Sequence, residues 1–306
     1  MSSSTYVLIT PARNEGRTIE ITIKSVLNQT MLPAEWIIVS DQSVDDTDEI
    51  VKKYAVQYPF IRLLRRDGEG ERSFASVVRA TEAGINALQC RNYDYLCLLD
   101  ADVQFAPDYF ALLMAEFGRA PRLGLGGGLV IDVVDGEVEP AHQDTNEVAG
   151  ATQFFRRDCF ESLNGLLAIP EGGWDAITCI RARMNGFETR TFRHLQVKHL
   201  KRRNAAFGHP LNRKWQMGMR DYVLASHPLF EIAKCCSRIG ETPVIIGAAV
   251  RLAGYFWSGV VRRKRILPPD LRKRLRDDQI KKLSEFFRGF LGRNRQSAVG
   301  GSLDRM

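Results

Sequence analysis

The chain predicts an α/β fold: a mixed, mainly parallel sheet followed by a helical, amphipathic C-terminal tail. Three observations predict it. Short apolar runs of strand length alternate with segments of helical period, polar clusters recur where those runs end, and the excess of positive charge is confined to the last part of the chain. A chain of 306 residues with 44% hydrophobic and 26% charged content has the composition of a folded protein. Its six cysteines form no C-x-x-C pair, and the Met-Ser-Ser-Ser start carries no apolar signal segment. Both features predict a reduced, cytoplasmic protein. The formal charge of +7 is unevenly spread: from Arg262 onward fourteen basic side chains stand against five acidic ones, which leaves the body at −2. That distribution counts against a nucleic-acid binder and assigns the basicity to a separate C-terminal device.

Tyr6-Val7-Leu8-Ile9-Thr10 reads as a buried strand closed by Pro11. The polar loop Ala12 to Gly16 leads into a helix whose apolar face is Ile19, Ile23, Val26 and Leu27. The second strand, Trp36-Ile37-Ile38-Val39, ends at Ser40-Asp41-Gln42-Ser43, after which Asp45, Asp46 and Thr47 crowd the next helix start as ordinary first-turn residues. A third strand, Ile61 to Leu64, runs into Asp67-Gly68-Glu69-Gly70-Glu71-Arg72. A helix from about Ser73 to Leu88, the strand that stops at Asp100, and a helix from Pro107 to Phe117 complete four βα steps. No G-x-G-x-x-G and no G-K-S/T sequence occurs, so a Rossmann dehydrogenase and a P-loop NTPase lose support. In open sheets of this kind ligands bind beyond the carboxyl ends of the strands, where Arg13 to Glu15, Asp41 and Asp100 to Asp102 would all lie.

Tyr95 to Leu99 is a buried run that stops at two carboxylates one residue apart, Asp100 and Asp102. Alternate residues point the same way, and two hard oxygen donors suit Mg²⁺ or Mn²⁺ with room left for a phosphate. The other reading of the same residues is a solvated turn. The order Thr10-Pro11-Ala12-Arg13-Asn14-Glu15, Gln29-Thr30, Ile38-Val39-Ser40-Asp41-Gln42-Ser43-Val44-Asp45-Asp46-Thr47 and Leu99-Asp100-Ala101-Asp102 decides between them, because together these motifs resemble family 2 glycosyltransferases of the GT-A fold over roughly the first 200 residues. The resemblance implies that Pro11, Arg13 and Glu15 line the nucleoside pocket and that Asp41 hydrogen-bonds the base. It implies Asp102 as the direct metal ligand, Asp100 at ribose or metal-bound water, and Arg72 at the nucleotide sugar. The family's Asp-Asp-Gly-Ser reads Ser40-Asp41-Gln42-Ser43 here, a Gly-to-Gln departure at the turn.

In the second half, Gly126 to Val133 and Ala149 to Arg157 read as strands, and Asp158 opens a short helix. Gly172-Gly173-Trp174-Asp175 begins a helix carrying Ile177, Ile180 and Met184. Asp175 is by position an N-cap or first-turn acid, and by the resemblance the general base. Trp174, Gln153 and Trp215 are expected on the acceptor side, Trp215 as a stacking platform or simply a packed ring. Gln196 to Arg203 reads as a basic loop in which His199 is a third metal ligand or a diphosphate contact, or else a solvated residue.

Residues Pro243 to Val261 are almost all apolar around Arg251, and Arg262-Arg263-Lys264-Arg265 follow. Leu271, Leu275, Ile280, Leu283, Phe287 and Phe290 mark an apolar face on a further basic helix. This tail reads as seated on an anionic membrane surface, or as a packed helical lid. The expected organisation is a catalytic domain over 1–210, with a nucleotide-sugar half over about 1–105 and an acceptor half over 106–210, then a basic helical region over 211–292 and a disordered tail over 293–306. The expected activity is inverting, metal-dependent transfer of a sugar from a UDP- or GDP-linked donor to a saccharide or lipid-linked acceptor, on the cytoplasmic face of a membrane, in a chain able to form homo-oligomers. A polyprenyl-phosphate acceptor, a nucleotidyltransferase, and a nucleotide-sugar-binding protein without turnover are the rival readings.

Overall fold

The computed structural model describes residues 4–67, 74–134, 137–139, 144–201, 210–240 and 243–300. Arg72, Arg202 and Arg203 lie outside them. The chain divides into two compact units, Met1–Ala205 and Ala206–Met306, a boundary slightly ahead of the expected 210.

The first unit opens with β1 (Tyr6–Ala12), α1 (Ile19–Leu27), β2 (Glu35–Asp41), α2 (Thr47–Gln57), β3 (Ile61–Arg66), α3 (Phe74–Asn86) and β4 (Tyr95–Leu99). These four strands are parallel, in the order β3-β2-β1-β4. Their continuous apolar runs follow from burial on both faces. Tyr6, Leu8, Trp36, Ile38, Cys97 and Leu99 join Ile19, Ile23 and Val51 in the main core. Ile9 and Val39 face the opposite way, and their side chains lie where a Cβ on Gly84 of α3 would stand.

The second half adds β5 (Val103–Phe105), α4 (Tyr109–Arg119), β6 (Leu123–Val134), β7 (Glu137–Glu139), β8 (Thr152–Arg156), α5 (Arg157–Ser162), α6 (Trp174–Met184) and β9 (Glu188–His199). β8 enters antiparallel between β4 and β6, and β9 lies parallel to β6 and antiparallel to β5. The result is one mixed sheet whose parallel N-terminal half is extended by antiparallel strands. The expected loop over Gln196 to Arg203 is corrected here: Gln196 to His199 close a twelve-residue strand. Its alternation is broken by a register shift against β6 between Gly128 and Leu129, and charged residues fill its outward positions, so the apolar period is masked in sequence.

The second unit is helical: α7 (Pro210–Val223), α8 (Pro228–Ser237), α9 (Ile246–Val260) and α10 (Pro269–Gly300). α7 and α9 cross closely. A Cβ on Gly218 would stand 1.9 Å from the Arg251 carbonyl oxygen, and one on Gly254 would stand 2.4 Å from that of Trp215, so glycine alone permits the approach. Arg251 is 2% exposed and donates to Asp221 and, at 2.8 Å, to Glu231. No helix among the described residues is long and apolar enough to cross a membrane. Leu271 of α10 is buried, and Gln279 and Arg276 anchor that helix to the α7–α8 turn through His227 N, Ser226 Oγ and Ala225 O. α10 continues past Gly292, the expected start of disorder; a lone glycine disfavours a helix by only about 1 kcal/mol.

Candidate active site

The carboxyl ends of β1, β2, β4 and β9 meet at one edge of the sheet, and the sequence places a polar group at each. The loop after β1 and the loop after β2 hold each other. Asn14, at φ +57°, accepts from Val44 N and donates its own N–H to Ser43 Oγ, while Glu15 N and Gly16 N donate to Thr47 Oγ1 and Asp45 Oδ2. Asp45 thus does more than start a helix: it fixes the loop that carries Arg13 and Glu15. Gln42 stands at φ +60°, the left-handed conformation that glycine would take without strain, so the turn shape survives the Gly-to-Gln departure. Asp41 is buried and paired with Arg66 at 3.1 Å, its register partner on β3. One guanidinium nitrogen of Arg13, Nη1, is buried with no hydrogen-bond partner, a cation held ready for an anionic or carbonyl ligand.

Asp100, Asp102 and His199 come together, with one ligand atom from each lying within 4.8 Å of the others. Sheet pairing builds this cluster. β5 follows Asp102 directly, Val103 is the register partner of His199, and Leu200 N donates to Asp102 O at 2.8 Å. On its other side His199 is the register partner of Asp132 in β6. His199 Nε2 faces Asp102 Oδ1 at 3.3 Å, while Nδ1 lies 2.5 Å from Lys201 O and 3.5 Å from Asp132 Oδ1. A carbonyl oxygen can only accept, so Nδ1 carries the proton and Nε2 is the atom available to a cation. Burial works against a charge on this ring, yet Asp102 and Asp132 raise its pKa to about 10. Asp100 is pushed up to about 7 by burial and then by Asp102. Glu15 is raised too, by burial and by Asp102, although Lys201 pairs with it from the end of β9. Four acids and a histidine without enough cations form a set that a divalent ion would neutralise, and its two oxygen donors and one imidazole suit Mn²⁺ or Mg²⁺.

Asp175 is tied to this cluster through two adjacent backbone groups. Gly150 N donates to Asp175 Oδ2 at 3.2 Å, and the carbonyl of the next residue, Ala151, accepts from Asp100 N at 3.0 Å. Asp175 lies close enough to raise the Asp100 pKa further. Gly172 and Gly173, at φ +86° and +87°, turn the chain into α6 so that Asp175 falls in its first turn. Trp174 is buried beside Gly150. Gln153 is fully buried, and its Nε2 donates to Val148 O and Asp175 O, so it braces the start of α6 from beneath. Its Oε1 is buried with no hydrogen-bond partner. Trp215 lies on α7 in the second unit, half-buried, with its backbone against Gly254. Sequence reasoning passed over Asp132; an acid inside the apolar run Val130-Ile131-Asp132-Val133 was the available signal.

A model of glycosyl transferase family 2 matches residues 7–172, more than half of the chain. The chain belongs to glycosyl transferase family 2. Among family relatives, the uncharacterized glycosyltransferase YibD of Escherichia coli is 32% identical over 113 residues, 37% of this chain and 30% of that protein. Poly-beta-1,6-N-acetyl-D-glucosamine synthase of Staphylococcus aureus is 32% identical over 111 residues, 36% of this chain and 25% of that protein. The matched stretch spans less than a third of either relative. Solved glycosyltransferases share the fold. The mannosyltransferase PcManGT of Pyrobaculum calidifontis, in complex with GDP-Man and Mn²⁺, superposes with a TM-score of 0.56 at 15% identity, covering 98% of this chain and 88% of that one. S. aureus TarS 1–349, in complex with UDP-GlcNAc, superposes with a TM-score of 0.53 at 13% identity, covering 89% and 78%. This family 2 chain therefore has the GT-A fold.

Proposed function

We propose that this transferase is metal-dependent and inverting, and that it moves a sugar from a UDP- or GDP-linked donor to an acceptor hydroxyl, on a saccharide or lipid-linked saccharide. The juxtaposition of Asp100, Asp102 and His199 carries the reading. Asp102 and His199 Nε2, with Asp100, would hold Mg²⁺ or Mn²⁺, which when bound offsets the charge developing on the leaving diphosphate. Arg13, Glu15 and Asp41 bind and orient the nucleoside, with Arg13 Nη1 as the free donor. Asp175 accepts the proton of the acceptor hydroxyl as that oxygen bonds the anomeric carbon and the bond to the diphosphate oxygen breaks. Gln153 and Gly150 N hold Asp175 in place, and Trp174 is offered to the acceptor. Complexes of neighbouring folds with UDP-GlcNAc and with GDP-Man and Mn²⁺ support the donor class. A peripheral seat on the cytoplasmic face of a membrane, through the second unit, fits a lipid-linked acceptor.

The test is nucleoside diphosphate release from a panel of UDP- and GDP-sugars, with Mn²⁺ or Mg²⁺, by wild type, Asp102→Ala and Asp175→Asn. One donor is hydrolysed by the wild type, Asp102→Ala loses both metal-dependent donor binding and release, and Asp175→Asn binds donor normally but transfers poorly. Pyrophosphate release, or donor binding that ignores metal, sinks the reading. A merely mild loss in Asp175→Asn points to a phosphate acceptor, which needs no strong base.

A further inference from the structure

The outer helices of the second unit are built inside out. On α9 the exposed residues are Ile246, Ala249, Ala253, Phe256, Trp257 and Val260, which recur at the three- and four-residue spacing of one helical face. The buried face of the same helix holds Gly247, Arg251, Gly254, Tyr255 and Ser258. α8 repeats the arrangement: Leu229, Ile232 and Cys236 are exposed, while Glu231 is fully buried and bonded to Arg251. A helix at a water surface shows the opposite order, polar outside and apolar inside. Val244 and Ile245, in the turn between the two helices, are exposed as well, so the apolar faces have an apolar link. Trp257 is 53% exposed and Val260 71%.

The edge of this surface names its occupant. Arg262, Arg263 and Lys264 follow α9 at once and are all exposed, and no acid occurs from Pro243 to Pro269. The open face of α9 carries aliphatic side chains together with the rings of Phe256 and Trp257, and the cations follow its C-terminal end. A helix lying along an anionic leaflet sets its aliphatic side chains and rings together at the acyl boundary while the flanking cations meet the phosphates. A second copy of the same surface brings the same cations and no acid from this stretch to meet them. α9, with 15 residues, is too short to span a bilayer.

We propose that the outward faces of α8 and α9, with Val244, Ile245 and the Arg262 to Lys264 run, form a seat for an anionic lipid bilayer, α9 lying in the headgroup plane. The expected membrane-seated tail ran from Pro243 through the basic helix of Leu271 to Phe290; the proposal assigns the contact to α8, α9 and the cations after them, whose apolar faces stand open. It does not depend on the transfer chemistry, and its test is separate.

The full chain is sedimented with vesicles of phosphatidylcholine with and without phosphatidylglycerol. It binds the anionic vesicles, and neutralising Arg262, Arg263 and Lys264 together to Gln weakens that partitioning by roughly a hundredfold. Phe256→Glu with Trp257→Glu abolishes it, while the far-ultraviolet circular dichroism and the thermal transitions of the full chain stay as in the wild type and report an intact fold. Brominated lipid quenches wild-type tryptophan fluorescence, and Trp257→Phe removes that quenching while leaving partitioning in place, a readout that needs no disruptive variant. Vesicle binding untouched by these changes overturns the proposal. So does a solution dimer that the Phe256 and Trp257 substitutions dissociate in a chain that ignores vesicles, because the surface would then belong to a second copy.

Discussion

His199 has one nitrogen committed and one to offer. Lys201 O and Asp132 face Nδ1, and Asp102 faces Nε2, so the ring is oriented before any cation arrives. Outer carboxylates of this kind orient a ligand and raise its basicity, and their loss typically weakens metal binding by about 10- to 100-fold. Asp132→Asn is therefore expected to lower Mn²⁺ affinity in that range, read by electron paramagnetic resonance of free Mn²⁺, with the far-ultraviolet circular dichroism unchanged. The proton on Nε2 must leave when a metal takes its place, since the two carboxylates raise the ring pKa, against burial, to about 10. Asp100, raised by burial and Asp102 to about 7, must likewise be ionised to ligate. Mn²⁺ affinity should thus fall as pH drops through 7, and binding heats measured in two buffers should differ by the buffer ionisation enthalpy. A pH-independent affinity with no proton release would contradict both statements.

Among the elements, α6 shows how a helix start becomes a site. Two consecutive residues at positive φ, Gly172 and Gly173, aim the first turn, and Gln153 braces it from below. Gly173→Ala introduces about 1–2 kcal/mol of backbone strain at the residue before Trp174 and Asp175. Transfer rate should fall while the donor KM stays near wild type, because the proposed donor site lies at the ends of β1, β2 and β4. The helical unit depends on a different element contact. Asp221 is ionised against burial because Lys234, Arg220 and Arg251 hold its carboxyl below the usual carboxylate range. Removing the guanidinium leaves Asp221 and Glu231 buried with an incomplete partner set, and breaking such a pair costs about 3–5 kcal/mol. Arg251→Ala is expected to lower the urea midpoint of the full chain accordingly.

For the whole molecule, two compact units with separate interiors imply unfolding that is not a single two-state step. Calorimetry of the full chain should resolve two transitions. The nucleoside diphosphate of the true donor, with metal, should raise only one of them by mass action, and Arg251→Ala should lower only the other. One transition that responds to both would overturn this division of labour. Charge follows the same division, since the body is near neutral and the excess of cations lies from Arg262 onward.

The parallel half of the sheet, the Pro11 to Glu15 loop, Asp41, the Asp-x-Asp pair and the start of α6 at Trp174 were determined by the sequence alone. Each is a local pattern: an apolar run, a punctuating Pro or Gly, a polar residue where the run stops. The strand β9 was hidden, because charges occupy its solvent side and a register shift breaks its alternation, and with it went the pairing that sets His199 between Val103 and Asp132. Only the tertiary structure decided that Gln153 donates to the Asp175 carbonyl, and that Arg251 turns inward while Phe256 and Trp257 turn out. Which face of an element is buried depends on what packs against it. For α9 that partner is α7, whose Gly218 lets the two backbones meet.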